Sequence, residues 1–291
     1  MSVIVPTRDR PAHLRECLAA LDRQSRDDVE LIVVDDGSID RAGVAAVATP
    51  YPRVRLVGGD GRGPAAARNR GAAVASAPRL CFVDDDCAPE PQWLTELDAA
   101  FDAGATVVAG PTLAGHVGNP FSVASQVITN HLADWSRWGD GARFGFAPTS
   151  NVACLAHVHA AVPFDERYTS AAGEDRAWCR RLAAAGEDMR WVPEARVRHL
   201  QDLTLASFIR QQFRYGRGAW RFHRDRGASE PHAVGGPRAG LGVGFYAALV
   251  GAGFRCRPAV GGLVLAAQAI TAAGLATEAI SARGAVDRPG R

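Results

Sequence analysis

Short apolar runs alternate with helical patterns through the first third of the chain. Val3-Ile4-Val5, Leu31-Ile32-Val33-Val34, Val54 to Val57 and Leu80-Cys81-Phe82-Val83 have strand length and are almost free of polar residues. Between them Leu14, Leu18 and Leu21 recur at helical spacing from Pro11. A second helix is expected from about Asp40 to Ala48, and an Ala-rich helix, Ala65 to Ala75, follows a glycine-rich loop. Near-continuous apolar strands alternating with helices predict an α/β fold with a mainly parallel sheet covered on both faces. In such sheets ligands bind outside the carboxyl ends of the strands.

Beyond the fourth run the pattern loosens. Residues from about Gly115 to Phe146 mix Trp, His, Asn and Gly and read as an insertion shaping a substrate cleft, in which His131, Trp135 and Trp138 stack on an acceptor or pack the core. A strand is expected over Thr149 to Leu155, and a helix over Asp175 to Ala185, stopped by Gly186 as its C-cap. A long amphipathic helix follows from Leu203 to about Arg226, carrying Arg210, Arg214, Arg217, Arg221, Arg224 and Arg226. Gly240 to Phe254 and Pro258 to Ile280 are then nearly free of charge. The second stretch is long enough to cross a bilayer, though Gln268, Thr271 and Thr277 weaken that reading. A packed helix pair and a hairpin lying in the membrane interface fit as well. The expected division is therefore a catalytic domain over 1–226 and an apolar Ala/Gly-rich extension over 227–291, with membrane-surface contact as one of its readings.

Carboxylates stand where two of the strands end. Asp35 and Asp36 close the second run, and Asp84, Asp85 and Asp86 close the fourth. Extended backbone would send Asp84 and Asp86 to one side and Asp85 to the other. Two converging carboxylates make a hard oxygen site for Mg2+ or Mn2+, and such an ion commonly holds phosphates. An acidic turn capping the next helix is the plainer alternative. Glu174 and Asp175, at a helix start, suit either proton transfer or favourable interaction with the helix dipole.

Composition narrows the chemistry. The 291 residues carry a formal net charge of +2, which gives no electrostatic case for nucleic acid as a partner. Every basic residue is arginine, so a P-loop lysine and a Schiff-base lysine are excluded. Cys17, Cys81, Cys87, Cys154, Cys179 and Cys256 form neither a C-x-x-C pair nor a zinc spacing, and a reducing cytoplasm is expected. Strand residues begin at Ser2, so no signal peptide is expected. The loop Gly58-Gly59-Asp60-Gly61-Arg62-Gly63 misses the dinucleotide register and instead lets backbone pass close to a ligand.

Taken in order, Ser2-Val3-Ile4-Val5-Pro6-Thr7, Val34-Asp35-Asp36-Gly37-Ser38-x-Asp40, Ala67-Arg68-Asn69-x-Gly71, Phe82-Val83-Asp84-Asp85-Asp86 and Gly173-Glu174-Asp175 closely resemble the family 2 glycosyltransferases over about residues 1 to 200. The resemblance implies a GT-A fold and a nucleoside-diphosphate sugar donor. It places Pro6, Thr7, Asp35, Asp36, Arg68, Asp84 and Asp85 around the nucleotide-sugar, with an Asx-turn or helix N-cap as the plainer alternative for Asp35. Asp84 and Asp86 match the family's D-x-D motif, and His199 stands where many relatives have a histidine that completes the metal shell. The resemblance makes Asp175 the general base, with Glu174 supporting it or contacting acceptor. It implies a divalent metal cofactor, Mn2+ or Mg2+, and a glycan, lipid-linked or small-molecule hydroxyl acceptor. The expected location is the cytoplasm, including the inner face of the membrane. Gln211, Gln212, Arg214 and Arg217 are candidates to close over the diphosphate, or form the wet face of their helix. A silent nucleotide-sugar-binding scaffold and a sugar nucleotidyltransferase are the rival functions. Intact acidic motifs speak against the first, and the missing Gly-rich basic loop at the first strand against the second.

Overall fold

The computed structural model describes residues 1–225 and 242–286, with the side chains of 283–286 left aside; Arg226 and the expected boundary after it fall outside. The first half builds β1 (Ser2–Thr7), α1 (Pro11–Asp22), β2 (Glu30–Asp35), α2 (Arg41–Ala48), β3 (Val54–Gly58), α3 (Pro64–Val74) and β4 (Arg79–Phe82). Then come β5 (Cys87–Pro89), α4 (Trp93–Asp102), β6 (Val107–Ala109), β7 (Thr112–Ala114), α5 (Pro120–Trp135), β8 (Val152–Leu155) and α6 (Ala156–Ala161). The chain continues through α7 (Glu174–Ala184), β9 (Met189–Trp191), β10 (Val197–His199), α8 (Leu205–Asp225), α9 (Val243–Cys256) and α10 (Pro258–Val286).

Seven strands form the main sheet in the order β3-β2-β1-β4-β8-β6-β9. All neighbours are parallel except β8, which runs antiparallel to both β4 and β6. The sheet is therefore mainly, not wholly, parallel. Alternate residues feed opposite faces. Val3, Val5, Leu31, Val33 and Cys81 join α1, α2 and α4 in one core, and Ile4, Ile32, Val34, Leu80 and Phe82 join α3 and α7 in the other. The apolar runs are continuous because both faces are covered.

A smaller sheet, β5-β10-β7, lies beyond the C-terminal end of β4. Its antiparallel register sets His199 opposite Cys87, and Leu200 N–H donates to the Asp86 carbonyl at 2.7 Å. This pairing carries a residue more than a hundred positions downstream to the acidic turn.

The stretch expected to be irregular holds α5, a 16-residue helix capped by Asn119, whose side chain accepts from Phe121 and Ser122 N–H. The C-terminal helices rest on it. Phe245, Leu249, Val260, Val264 and Ala267 share one apolar cluster with Val123, Ala124 and Phe208. Along α8, Gly216 permits the closest approach of α10: a Cβ there would overlap the carbonyl of Thr271.

Candidate active site

At the end of β1 and β2, Thr7 and Asp35 are register partners. Asp35 Oδ1 accepts from Ser38 N–H, three residues on, at 2.9 Å and so fixes the turn after β2. Asp36 accepts from the N–H groups of Arg62 at 3.2 Å and Gly63 at 2.8 Å, which ties the glycine-rich loop to the strand end. Pro6, Thr7, Asp35 and Asp36 are all buried.

The acidic run departs from the expected alternation because β4 stops at Phe82 and the backbone turns at Asp85 and Asp86. Both of these carboxylates meet one guanidinium. Arg10 Nη1 donates to Asp86 Oδ2 at 2.8 Å, Nε donates to Asp85 Oδ2 at 3.2 Å, and Nη2 also reaches Asp85 Oδ1. Thr7 Oγ1 donates to Asp85 at 2.6 Å. Asp85 is wholly enclosed, so in this conformation it holds β1, Arg10 and the turn together and offers no surface to a ligand. Burial pushes its carboxyl up; Arg10 pulls it back and the Asp86 charge adds to the rise.

Asp86 faces the other way as well. His199 Nε2 lies 3.3 Å from Asp86 Oδ1, and its Nδ1 lies 3.2 Å from Gln126 Oε1. Burial opposes the Asp86 charge, but His199 and Arg10 outweigh it and hold the carboxyl well below the usual range. Burial likewise lowers His199, yet Asp86 prevails and the imidazole sits above its ordinary value.

Ligand atoms of Asp86, Cys87 and His199 lie within 4.8 Å of one another. A carboxylate oxygen and an imidazole nitrogen at that spacing suit a divalent ion such as Mn2+. The Cys87 thiol is a poorer ligand, because burial, with Asp86 and Asp84 adding, holds it protonated far above its ordinary value. Asp84, expected beside Asp86, is not in this group. It turns to α3, where Arg68 Nη2 donates to its Oδ1 at 2.6 Å.

Arg68 is the second hub. Its Nη1 lies 3.4 Å from Glu174 Oε1, so one guanidinium, 2% exposed, joins the end of β4 to the start of α7. It also lies over the Phe164 ring at 5.7 Å. Burial pushes Glu174 well above the usual carboxylate range, with the Asp175 charge adding and Arg68 opposing. Asp175 is also raised, chiefly by burial, against the pull of the Arg176 N–H that its Oδ1 accepts at 2.7 Å. Its side chain is only partly covered. Gly173 starts this helix at φ 93°, and a Cβ there would sit 3.0 Å from the Gly218 carbonyl, so α7 begins hard against α8.

On α8 the expected phosphate clamp divides. Arg217 and Arg221 donate to Glu278 of α10 at 2.5 and 2.8 Å, which turns them away from the carboxylates. Arg214 lies over the Tyr215 ring at 6.0 Å. Gln211 bonds Ser125 and Gln201, and the buried Gln212 leaves its Nε2 without a hydrogen-bond partner among the described residues. The insertion aromatics His131 and Trp135 pack on Phe245, with ring centroids 4.8 and 5.4 Å away. Trp138 closes a small turn through backbone bonds with Arg143.

Sequence reasoning missed Arg10, Gln126 and Tyr215. Burial pushes the Tyr215 hydroxyl up, with Arg214 opposing and the charges of Asp175, Glu174 and Asp86 adding. The Arg8-Asp9-Arg10 step after the first strand was the available signal for Arg10; nothing in the local pattern marks Gln126.

The sequence signature of glycosyl transferase family 2 matches residues 2–156. The chain belongs to this family. The related family group 2 signature matches residues 81–276. Among curated relatives, this family 2 chain is 27% identical over 234 residues to the pre-mycofactocin glycosyltransferase of Mycobacterium tuberculosis, covering 75% of the chain but 46% of that protein. It therefore spans about half the length of that relative. It is 26% identical to glycosyltransferase AglE of Haloferax volcanii, over 75% of the chain and 72% of the relative. The fold is similar to that of the mannosyltransferase PcManGT from Pyrobaculum calidifontis, solved with GDP-Man and Mn2+. The TM-score is 0.60 and the identity 19%, covering 98% of this chain and 79% of that one. Staphylococcus aureus TarS, residues 1–349, gives a TM-score of 0.54 at 18% identity, covering 98% of this chain and 91% of that one. These are GT-A glycosyltransferases, in agreement with the fold implied by the sequence.

Proposed function

We propose that the chain is a metal-dependent inverting glycosyltransferase, moving a sugar from a nucleoside-diphosphate sugar to an acceptor hydroxyl on a glycan, a lipid-linked carrier or a small molecule. One observation carries this reading. Arg68 brings the acidic turn, whose Asp86 pairs with His199, against the helix start bearing Glu174 and Asp175. A carboxylate–imidazole pair suited to a cation and a carboxylate of raised basicity are thus brought together through one guanidinium. The solved neighbour with GDP-Man and Mn2+ supports the donor class.

In this mechanism Pro6, Thr7, Asp35 and the loop fixed by Asp36 receive the nucleoside. Asp86 and His199 would hold a divalent ion, with Asp84 oriented by Arg68 beside them. When bound, such an ion would supply positive charge to the departing diphosphate. Asp175 accepts the proton of the acceptor hydroxyl as its oxygen bonds to the anomeric carbon. The anomeric carbon–phosphate oxygen bond breaks on the opposite face, and the diphosphate keeps the electron pair. Glu174 stays behind Asp175, anchored to Arg68.

A thermal-shift series with UDP-, GDP- and dTDP-sugars, each with Mn2+, Mg2+ or EDTA, tests the donor site, because a ligand of the native state raises apparent stability. One donor is expected to raise the melting temperature with metal and not with EDTA, and Asp86→Ala should abolish the difference. A metal-independent shift, or an unchanged response in Asp86→Ala, would refute the metal role. No shift with any donor would refute the donor site itself.

The reading extends to location. Among the described residues, Pro258–Ala282 is long and apolar enough to cross a membrane. However, α10 is packed along α8, whose exposed Arg210, Arg214, Arg217 and Arg224 would have to follow it into lipid. A position flat on the cytoplasmic surface suits it better: Leu265, Ile280 and Phe254 are at least half exposed and Arg255 and Arg257 flank the helix turn. The protein should co-sediment with phosphatidylglycerol-containing vesicles more than with phosphatidylcholine alone. Leu265→Glu with Ile280→Glu should cut partitioning roughly tenfold or more, since each exposed apolar side chain contributes about 1.5–3 kcal/mol on burial. Equal sedimentation of both proteins would reject the surface contact.

A further inference from the structure

We infer that Gln126 is a positioning residue for the metal site: it fixes the Nδ1–H tautomer of His199 and thereby leaves Nε2 bare for an ion beside Asp86. The inference rests on the proposed role of His199 as a ligand. It comes from a closed hydrogen-bond circuit in which only one assignment of donors is consistent.

Gln126 lies on α5 and is 4% exposed. Its Nε2 donates to the Thr112 carbonyl at 3.0 Å and to Asn130 Oδ1 at 2.8 Å. Asn130 Nδ2 donates to the same carbonyl at 2.9 Å. A backbone carbonyl can only accept, so both amide nitrogens must point to it. That leaves Gln126 Oε1, an acceptor only, 3.2 Å from His199 Nδ1. The Nδ1 must therefore carry the proton. Nε2 lies 3.3 Å from Asp86 Oδ1: it donates to that carboxylate while the ring is charged, and with Nδ1 keeping its proton it is the nitrogen left bare for an ion once the ring is neutral. A hydrogen bond to the remote ring nitrogen is a common means of orienting a metal-bound imidazole.

Neighbouring bonds hold the circuit rigid. Thr112 belongs to β7, whose parallel register with β10 puts Ala114 beside His199. Just after His199, Asn119 Nδ2 donates to Asp202 Oδ1 and to the Leu203 carbonyl at 2.7 and 2.8 Å. Leu203 N–H donates to Ser122 Oγ at 3.0 Å. The helix thus grips the chain on the far side of the ligand as well, and the ring has little freedom to rotate.

Two measurements on the full chain test this. Mn2+ binding by electron paramagnetic resonance should weaken about 10–100-fold in Gln126→Met, the usual cost of losing such a partner. Its cooperative melting should persist. Long-range ¹H–¹⁵N spectra of the metal-free wild type, at a pH where the ring is neutral, should show His199 protonated on Nδ1, with the signal assigned by its loss in His199→Asn. The inference is overturned by equal Mn2+ affinity of the two folded proteins, or by protonation of His199 on Nε2. Should wild type bind no Mn2+, the metal reading falls, and the tautomer still decides the Gln126–His199 contact. The same spectrum decides if Gln126→Met does not fold.

Discussion

Asp175→Asn is expected to lower the turnover of glycosyl transfer by about 10²–10⁴-fold, the range a positioned general base contributes, and to leave donor binding unchanged. The substitution is close to isosteric. An asparagine Oδ1 can still accept the Arg176 N–H that Asp175 accepts at 2.7 Å, so the start of α7 should keep its shape. What disappears is the proposed proton acceptor, and its neighbour Glu174 is committed to Arg68 and enclosed. The pH profile supplies an independent check. Burial raises the Asp175 carboxyl, so its basic form is lost as pH falls through that raised value. The acid limb of turnover should therefore lie above the ordinary carboxylate pKa of about 4, and it should be missing from whatever activity Asp175→Asn retains. Normal turnover by the variant would remove Asp175 from the base role. Lost donor binding would instead indicate that the substitution had disturbed the nucleotide site.

The residues of the candidate site were legible where local pattern decides the outcome. Continuous apolar runs marked the strands because both sheet faces are covered, and Asp35 and Asp84 then fell at strand ends by position alone. Glu174 and Asp175 stood out at a helix start followed by inward-facing Trp178, Cys179 and Leu182. The helix α5 did not show itself for a physical reason: Ser122, Ser125 and Gln126 are buried polar residues on the face that should read apolar. They are tolerated there because each has partners, Ser122 with Leu203, Ser125 with Gln211, Gln126 with Thr112, Asn130 and His199. A polar network of that kind erases helical periodicity and is invisible until its distant partners are placed. Arg10 was missed similarly, since its carboxylates lie about 75 residues away in the chain. The reversed direction of β8 is set by tertiary pairing and has no local signature. The side chosen by Asp84 against Asp86 depended on where β4 stopped, and a difference of one or two residues there reverses an alternation argument.

Arg68→Met should cost about 3–5 kcal/mol of unfolding free energy at neutral pH, the usual consequence of removing one member of a buried ion pair. The size follows from what is left behind. Glu174 is nearly enclosed, its Oε2 has no hydrogen-bond partner among the described residues, and Arg68 is the cation holding it. Asp84 would lose its 2.6 Å partner in the same step. An exposed pair provides the contrast. Arg70 and Asp60, 3.0 Å apart with both side chains largely in solvent, should give about 0–1 kcal/mol when Arg70 is replaced by Met. The pH dependence has a definite sign. Glu174 is already raised in the folded protein, and losing Arg68 raises it further. A carboxyl whose folded pKa exceeds its unfolded pKa carries no penalty below the unfolded value and accumulates one as pH rises toward the folded value. The deficit of Arg68→Met relative to wild type should therefore shrink on acidification and be largest at neutral pH and above. Urea unfolding of the three proteins across that range measures it. A deficit no larger than that of Arg70→Met, or one that grows as the pH is lowered, would mean that Arg68 is not the cation joining the acidic turn to α7.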